Sequence, residues 1–169
     1  MSRILGVDPG SLITGFGVIE AIGNHNRFIH CGAIRTPADD PLEQRLRGIF
    51  RGLSGVIREY RPEEVAVEQV FMARNPDSAL KLGQARGVAI LAAAEADLPV
   101  TQYPPRSVKQ AVVGAGGADK TQVQHMVRIL LNLQGELQAD AADALAVALC
   151  HGHTRQTLAH LGGQRGARR

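Results

Sequence analysis

The segment Gln138–Cys150 reads QADAADALAVALC, and its apolar residues continue almost all the way round a helix. It also carries Asp140 and Asp143, although aspartate is a poor helix-interior residue and is seldom buried without a partner. Residues three apart lie on one helix face, and that face continues through Ala144 and Val147. We therefore expect both carboxylates to lie on a stripe that packs against the core.

Two further acidic residues end apolar strands. Asp8 closes the run RILGVD, on the strand face that also carries Ile4 and Gly6. Glu68 lies near the end of EEVAVEQV, on the face of Ala66. Functional sites of α/β sheets commonly gather at strand ends, where side chains of neighbouring strands converge. The spacing thus predicts that these acids meet.

The four carboxylates together suggest a metal site. Two carboxylates on such a helix face repel each other and are poorly solvated. A divalent cation would relieve both the repulsion and the lack of solvation. The chain has no cysteine at a liganding spacing, and carboxylate oxygens suit a hard cation such as Mg²⁺ or Mn²⁺. The alternative is that strand-end acids and helix aspartates are simply solvated. The residues in question are Asp8, Glu68, Asp140 and Asp143.

The remaining pattern predicts an α/β fold. Strands are expected at 3–8, 14–22, 27–36, 63–70 and 98–103, and helices at 41–60, 75–96, 107–113, 119–132 and 140–154. Asn75 is placed to cap one helix, and Asp119 with Gln122 forms a capping-box-like start of another. Three consecutive strands followed by alternating strands and helices predict a mixed sheet covered by helices on both faces.

Composition restricts the remaining choices. The chain has 169 residues, is 44% hydrophobic and has a net charge of +3. Residues 154–169 contain four arginines and no acid, which leaves 15 basic and 16 acidic residues elsewhere. We expect one domain over 1–153 and a basic, disordered tail over 154–169. The absence of a signal-peptide layout, a long apolar run and paired cysteines predicts a reduced cytoplasmic protein without a membrane span.

Three segments together resemble one family. They are GVDPGSLITGFGVIE (6–20), AVEQVFMARNPDSALKLGQARGVAI (66–90) and ADAADALAVA (139–148). In this order and separation they are similar to the RuvC-type Holliday junction resolvases, which have the RNase H-like fold with a mixed five-stranded sheet. The resemblance extends from Ile4 to about His153 and includes VKQAVVG and DKTQVQHMVR.

The resemblance implies a structure-specific endonuclease of recombination and DNA repair. Such an enzyme binds four-way junction DNA as a homodimer and cuts two opposing strands of like polarity, which leaves 5′-phosphate and 3′-hydroxyl ends. It implies two Mg²⁺ ions per site, with Mn²⁺ as a possible substitute, held by Asp8, Glu68, Asp140 and Asp143. We expect Asp8 to bridge the two ions. A branch-migration motor of the RuvA and RuvB type is implied as a partner.

The basic and aromatic residues give further candidates. The chain has 16 arginines and only three lysines, so a retained lysine suggests a need for a compact point charge at a phosphate. The resemblance places Lys109 and Lys120 at the scissile strand, as catalytic and DNA-binding residues. It also places Phe71 where an aromatic ring stacks on unpaired bases. Arg74 and Lys81 are candidate contacts to the DNA backbone. Chance retention of the lysines, and a packing role for Phe71, remain alternatives.

Several other interpretations are weaker. Cys150, His151 and His153 make only half a zinc site, and the loop GAGGADK lacks the spacing of a phosphate-binding loop. An actin- or sugar-kinase-type ATPase would need a second domain. An RNase H-like nuclease acting on RNA–DNA hybrid and a non-catalytic junction-binding module remain alternatives, which cleavage of a substrate panel would separate.

Overall fold

A mixed β-sheet forms the centre of the structure, a computed structural model that describes residues 1–69 and 75–166. Its described strands are β1 (Ser2–Asp8), β2 (Ile13–Ile22), β3 (His25–Arg35), β4 (Glu64–Glu68) and β5 (Val100–Tyr103). They lie in the order β3-β2-β1-β4-β5. The first three strands are antiparallel neighbours, whereas β1, β4 and β5 run parallel. The carboxyl ends of β1 and β4 therefore meet at one edge.

Helices cover both faces of this sheet. They are α1 (Leu42–Tyr60), α2 (Pro76–Ala94), α3 (Pro105–Val113), α4 (Lys120–Leu130) and α5 (Ala139–Gly166). One buried cluster joins the sheet to α3, α4 and α5, and a second joins its opposite face to α1 and α2. The period-two alternation of β1 explains this, because Ile4 enters the first cluster and Leu5 the second. The predicted fold is confirmed.

The predicted helix starts have the expected caps. The Asn75 side-chain oxygen accepts a hydrogen bond from the Ser78 amide at 2.8 Å, with Pro76 at the first turn of α2. Asp119 and Gln122 form a complete capping box at α4, with both hydrogen bonds at 2.9 Å. These local signals fix where α2 and α4 begin.

The C-terminal helix differs from expectation. A disordered segment was predicted from Thr154, but α5 continues to Gly166. Long-range contacts hold the first residues of the extension: Arg155 pairs with Glu64 at 2.9 Å, and Gln156 donates to the Gly23 carbonyl at 2.9 Å. The helix beyond Thr154 does not follow from local composition, because these partners are distant in sequence. The domain boundary at residue 153 and the disorder of the tail stay predictions. Throughout the described residues, no helix combines the length and apolarity needed to cross a membrane.

Candidate active site

Two acidic side chains meet at the carboxyl edge of the parallel strands. Asp8 ends β1 and Glu68 ends β4, and the preceding residues Val7 and Val67 are paired in register. The alternation of each strand turns both carboxylates toward α5, since Ile4 and Ala66 on the same faces pack against that helix. The strand register thus brings together two acids that are sixty residues apart.

Helix α5 lies directly on the sheet because glycines face it. A Cβ atom on Gly6 would lie 2.2 Å from the Ala144 carbonyl oxygen, and one on Gly15 would lie 2.0 Å from that of Asp140. Such distances are far below van der Waals contact, so only glycine permits this approach. The facing side of α5 carries small buried residues such as Ala144 and Ala148. This close packing carries the start of α5 to the strand ends.

The acids line a small cavity with two lysines. It has a volume of about 150 Å³. Its charged residues are Asp8, Glu68, Asp143, Lys109 and Lys120. Lys109 comes from α3, and Lys120 is the first residue of α4. The other residues that line the cavity are apolar: Pro105, Val108, Val123 and Ala146. Sequence reasoning did not identify these wall residues, because their place depends on how three helices pack.

The carboxylates perturb one another. Burial, a hydrogen bond with Glu68 and the charges of Glu68 and Asp143 raise the pKa of Asp8 to about 9. Burial also raises the pKa of Glu68, although its hydrogen bond with Asp8 and the lysine charges oppose this. The Asp8–Glu68 pair therefore shares a proton when no cation is bound. A pair held in this way is a common feature of functional sites.

Lys120 forms an ion pair at the mouth of the cavity. Its Nζ donates to Asp143 Oδ2 at 3.2 Å, and the lysine side chain is 77% exposed while that of Asp143 is 16% exposed. The charge of Asp143 and this hydrogen bond raise the pKa of Lys120, with smaller contributions from Asp8 and Glu68. Lys120 thus balances part of the negative charge and keeps its ammonium group within reach of solvent.

The donor set fits a hard divalent cation. Asp8, Glu68 and Asp143 offer carboxylate oxygens only, the ligands preferred by Mg²⁺ and Mn²⁺. Among the described residues, no three histidine, cysteine or acidic side chains already surround one point at coordination distance. The site therefore has suitable ligands but not a closed metal cage.

Asp140 is placed differently from its neighbour on α5. It is half-buried with its backbone over Gly15, and it does not line the cavity. Gly15 pairs with Asp8 across β1 and β2, so Asp140 lies at the same end of the sheet, one strand further along. The helix face that carries Asp140 and Asp143 was predicted to continue into the core. This is confirmed, because Ala144 and Val147 on that face are fully buried. A metal-binding role for Asp140 stays a prediction.

The other predicted DNA contacts lie elsewhere. Phe71 and Arg74 fall outside the described residues. Lys81 lies on α2 and pairs with Asp77 at 2.8 Å, one helical turn away. It does not line the cavity, since α2 packs on the opposite face of the sheet. Contacts of these three residues with DNA remain predictions.

A buried polar cluster explains the histidine-rich segment at the end of the domain. Tyr103 Oη and His151 Nδ1 are 2.7 Å apart, and His151 Nε2 lies 2.7 Å from Glu64. Ser2 donates to Glu64 at 3.1 Å, and Arg155 pairs with it as described above. His151 therefore joins α5 to β4 and β5, a structural role that its sequence neighbours do not indicate.

The fold and the site define a class of protein. A mixed five-stranded sheet with acids at two adjacent strand ends and a third on a crossing helix is the arrangement of an RNase H-like nuclease. Residues 4–151 match the model of the family described as crossover junction endodeoxyribonuclease RuvC. The chain belongs to this family, whose members are metal-dependent nucleases.

Curated relatives support this assignment over nearly the whole chain. The crossover junction endodeoxyribonuclease RuvC of Shewanella sediminis is 61% identical over 168 residues, which cover 99% of this chain and 96% of the relative. That of Marinobacter nauticus is 59% identical over 167 residues, with 97% and 95% coverage.

Solved structures agree. Thermus thermophilus RuvC in complex with a Holliday junction substrate superposes with a TM-score of 0.88 at 37% identity, covering 93% of this chain and 96% of that one. The yeast mitochondrial Holliday junction resolvase Ydc2 has a TM-score of 0.68 at 15% identity, covering 94% and 81%. The second likeness concerns the fold alone.

Proposed function

We propose that this chain resolves four-way DNA junctions by metal-dependent hydrolysis of phosphodiester bonds, leaving 5′-phosphate and 3′-hydroxyl ends, during recombination and repair. The observation that carries the proposal is the convergence of Asp8, Glu68 and Asp143 with two lysines in one cavity. The family to which the chain belongs supplies the substrate class.

The carboxylates form the proposed metal site. Asp8, Glu68 and Asp143 would hold two Mg²⁺ or Mn²⁺ ions, with Asp140 completing the ligand set from the first turn of α5. When bound, the ions supply an activated water and neutralise charge on the leaving 3′ oxygen. Before they bind, the Asp8–Glu68 pair must release its shared proton.

The lysines would act on the phosphate. Lys120 has a mostly exposed side chain on the first turn of α4, so its ammonium group can turn from Asp143 toward a phosphate oxygen. Lys109 lies across the same cavity, where its charge also acts on Glu68. The wall formed by Val108, Val123 and Ala146 makes one side of the cavity apolar, and charges that lie against such a wall interact more strongly than in open water.

Paired cuts require two sites, and helix α2 offers a surface for a second copy. Leu80 and Leu91 are 67% and 50% exposed. Gly83 and Gly87 lie between them, and a Cβ on either would have no atom within 4 Å. Positions 80, 87 and 91 share one helix face. Such a face of exposed leucines and glycines permits close approach of another helix, so we propose a homodimer formed through α2.

The cellular setting completes the proposal. The enzyme would work in the cytoplasm beside a branch-migration motor of the RuvA and RuvB type, which moves the junction until a preferred sequence reaches the two sites. The resemblance supports this partner.

Binding and cleavage can be separated to test the site. Glu68→Gln and Asp143→Asn should each abolish cutting of a synthetic four-way junction. Junction affinity in EDTA should be kept, because removing negative charge near a phosphate does not weaken its binding. Gel-shift and cleavage assays on the same labelled junction measure both. If these variants lost binding together with cleavage, the acids would be structural and the metal site would fail.

A further inference from the structure

The turn at residues 9–12 follows Asp8 directly and is held from outside by one helix. Arg45 of α1 donates from Nε and Nη2 to the Ser11 carbonyl oxygen, at 3.2 and 2.8 Å. Thr36 donates from its hydroxyl to the same oxygen at 3.0 Å. Three donor atoms, two from α1 and one from the residue that follows β3, thus converge on a single main-chain acceptor.

The rest of the turn is fixed from within. The Thr14 hydroxyl donates to the Gly10 carbonyl at 2.9 Å and accepts from the Gly10 amide at 3.3 Å. The Thr36 amide donates to the Leu12 carbonyl at 2.9 Å. Since these contacts are short-range or come from Thr36, the residue after β3, Arg45 is what joins helix α1 to the turn.

Arg45 is an unusual residue for its position. It is buried on the face of α1 that carries Ile49 and Leu53, with 9% of its surface exposed. Among the described residues it forms no ion pair with an acid, and its hydrogen bonds go to the Ser11 carbonyl oxygen. Burying a guanidinium costs desolvation and side-chain entropy, so packing alone would favour an aliphatic residue here. Hydrogen bonds from a charged donor are the strong kind, and here they act on the turn.

The turn controls two parts of the active site. It begins at Asp8, and it ends at the start of β2, where Gly15 pairs with Asp8 and supports the backbone of Asp140. A shift of the turn would therefore move the Asp8 carboxylate and the start of α5 together.

We propose that Arg45 is a positioning residue for the reaction, which holds the Asp8 turn through the Ser11 carbonyl and keeps the carboxylates in register. This inference rests on the proposed function, in which Asp8 binds metal. Arg45 acts through Ser11 and does not touch the substrate.

The test compares Arg45→Gln and Arg45→Lys with the wild-type full chain. The readouts are kcat, KM for the junction and the Mg²⁺ concentration at half-maximal cleavage. Arg45→Gln should lower kcat about 10-fold and raise the Mg²⁺ midpoint, the size seen when support of a metal ligand is lost. KM and junction affinity in EDTA should stay unchanged. Arg45→Lys should recover part of the rate, because an ammonium group can still donate to Ser11.

Val56→Ala is the matched control, since Val56 is a buried residue of the same helix whose apolar side chain cannot hydrogen-bond to the turn. It should lower the unfolding temperature without moving the Mg²⁺ midpoint. A second variant, Thr36→Val, removes the other side-chain donor to Ser11. Its effect on the midpoint should be non-additive with that of Arg45→Gln, because both donors share one acceptor.

The outcomes separate the two proposals. If the wild-type protein cuts the junction and Arg45→Gln has the same kcat and the same Mg²⁺ midpoint, the role of Arg45 is overturned while the proposed function stands. An equal shift of the midpoint in Val56→Ala would also overturn it, because general loosening would then explain the effect. Wild-type protein that cuts with neither Mg²⁺ nor Mn²⁺ removes the proposed function itself. If Arg45→Gln fails to fold, Arg45→Lys and Thr36→Val decide the question.

Discussion

Asp8 lies where a carboxylate is costly. It is half-buried beside Glu68 and Asp143. Its raised pKa keeps it protonated in the metal-free folded protein at neutral pH, where the unfolded chain has already lost this proton. Asp8→Asn removes this cost, and its amide can still donate to Glu68. We expect the metal-free variant to gain about 1–3 kcal/mol in unfolding free energy, or roughly 2–10 °C in Tm. Cleavage should be lost while junction binding is kept. A calorimetric scan in EDTA checks the gain, and a lower Tm would contradict it.

The same pair predicts a pH dependence. The pKa of Asp8 is raised from 3.8 to about 9, so between these values the folded state binds a proton that the unfolded state does not. The stability that this bound proton contributes is fully present below pH 3.8 and is lost as the pH rises toward 9. The slope is at most about 1.4 kcal/mol per pH unit for one proton. Urea unfolding in EDTA at pH 6, 7 and 8 should show a shallower slope for Asp8→Asn, whereas parallel slopes would speak against the shared proton.

If Asp143 holds a divalent cation, as proposed above, Lys120 would compete with that cation for the carboxylate. The ammonium group of Lys120 lies 3.2 Å from the Asp143 carboxylate. A divalent cation bound at this carboxylate would therefore repel the lysine until a phosphate of the DNA attracts it away. Lys120→Gln should therefore tighten Mn²⁺ binding to the DNA-free protein about 3–10-fold, since screening of the 77% exposed side chain reduces the full Coulomb effect. Titration followed by electron paramagnetic resonance measures it. Lys81→Gln is the control, because Lys81 pairs with Asp77 away from the cavity. Unchanged or weaker Mn²⁺ binding in Lys120→Gln would refute the competition.

At the scale of elements, the contact of α5 with the sheet depends on glycine. Gly6→Ala would place a methyl group 2.2 Å from the Ala144 carbonyl and 2.9 Å from the Ala148 methyl. The helix must shift, so we expect a loss of about 3 kcal/mol or more in unfolding free energy and a displaced Asp143. Gly55→Ala is the matched control. Gly55 lies within α1 with open space around it, and the change should stabilise by about 0.5–1 kcal/mol. Equal effects of both changes in urea unfolding would contradict the close packing.

The elements also show what the sequence could predict. Helix starts at Asn75 and Asp119 follow from local hydrogen-bonding groups, so both were predictable. Asp8 and Glu68 were predicted to meet, because strand ends and side-chain alternation are visible in the sequence. The extension of α5 was not predictable, since it depends on a distant partner for Arg155. The separation of Asp140 from the cavity likewise depends on how α5 crosses β2, which no local pattern contains.

At the scale of the whole molecule, paired cutting depends on the proposed dimer. Leu91→Glu places a charge on the exposed face of α2 and should convert a dimer to a monomer in sedimentation experiments. Junction cuts should then become single and uncoordinated, because each site would act alone. Leu158→Glu is the control, since Leu158 is an equally large, 63% exposed leucine on α5. A Leu91→Glu protein that stays dimeric would assign the interface to another surface.

The most direct measurement is cleavage of a labelled four-way junction beside linear duplex and RNA–DNA hybrid, each with Mg²⁺, Mn²⁺ or EDTA. We expect paired, symmetric nicks in the junction alone, with 5′-phosphate ends that a ligase can seal, and no cutting in EDTA. Cutting of the hybrid instead would keep the fold and the metal site but replace the substrate. Tight junction binding without cutting in either metal would contradict the central claim and make the chain a recognition module.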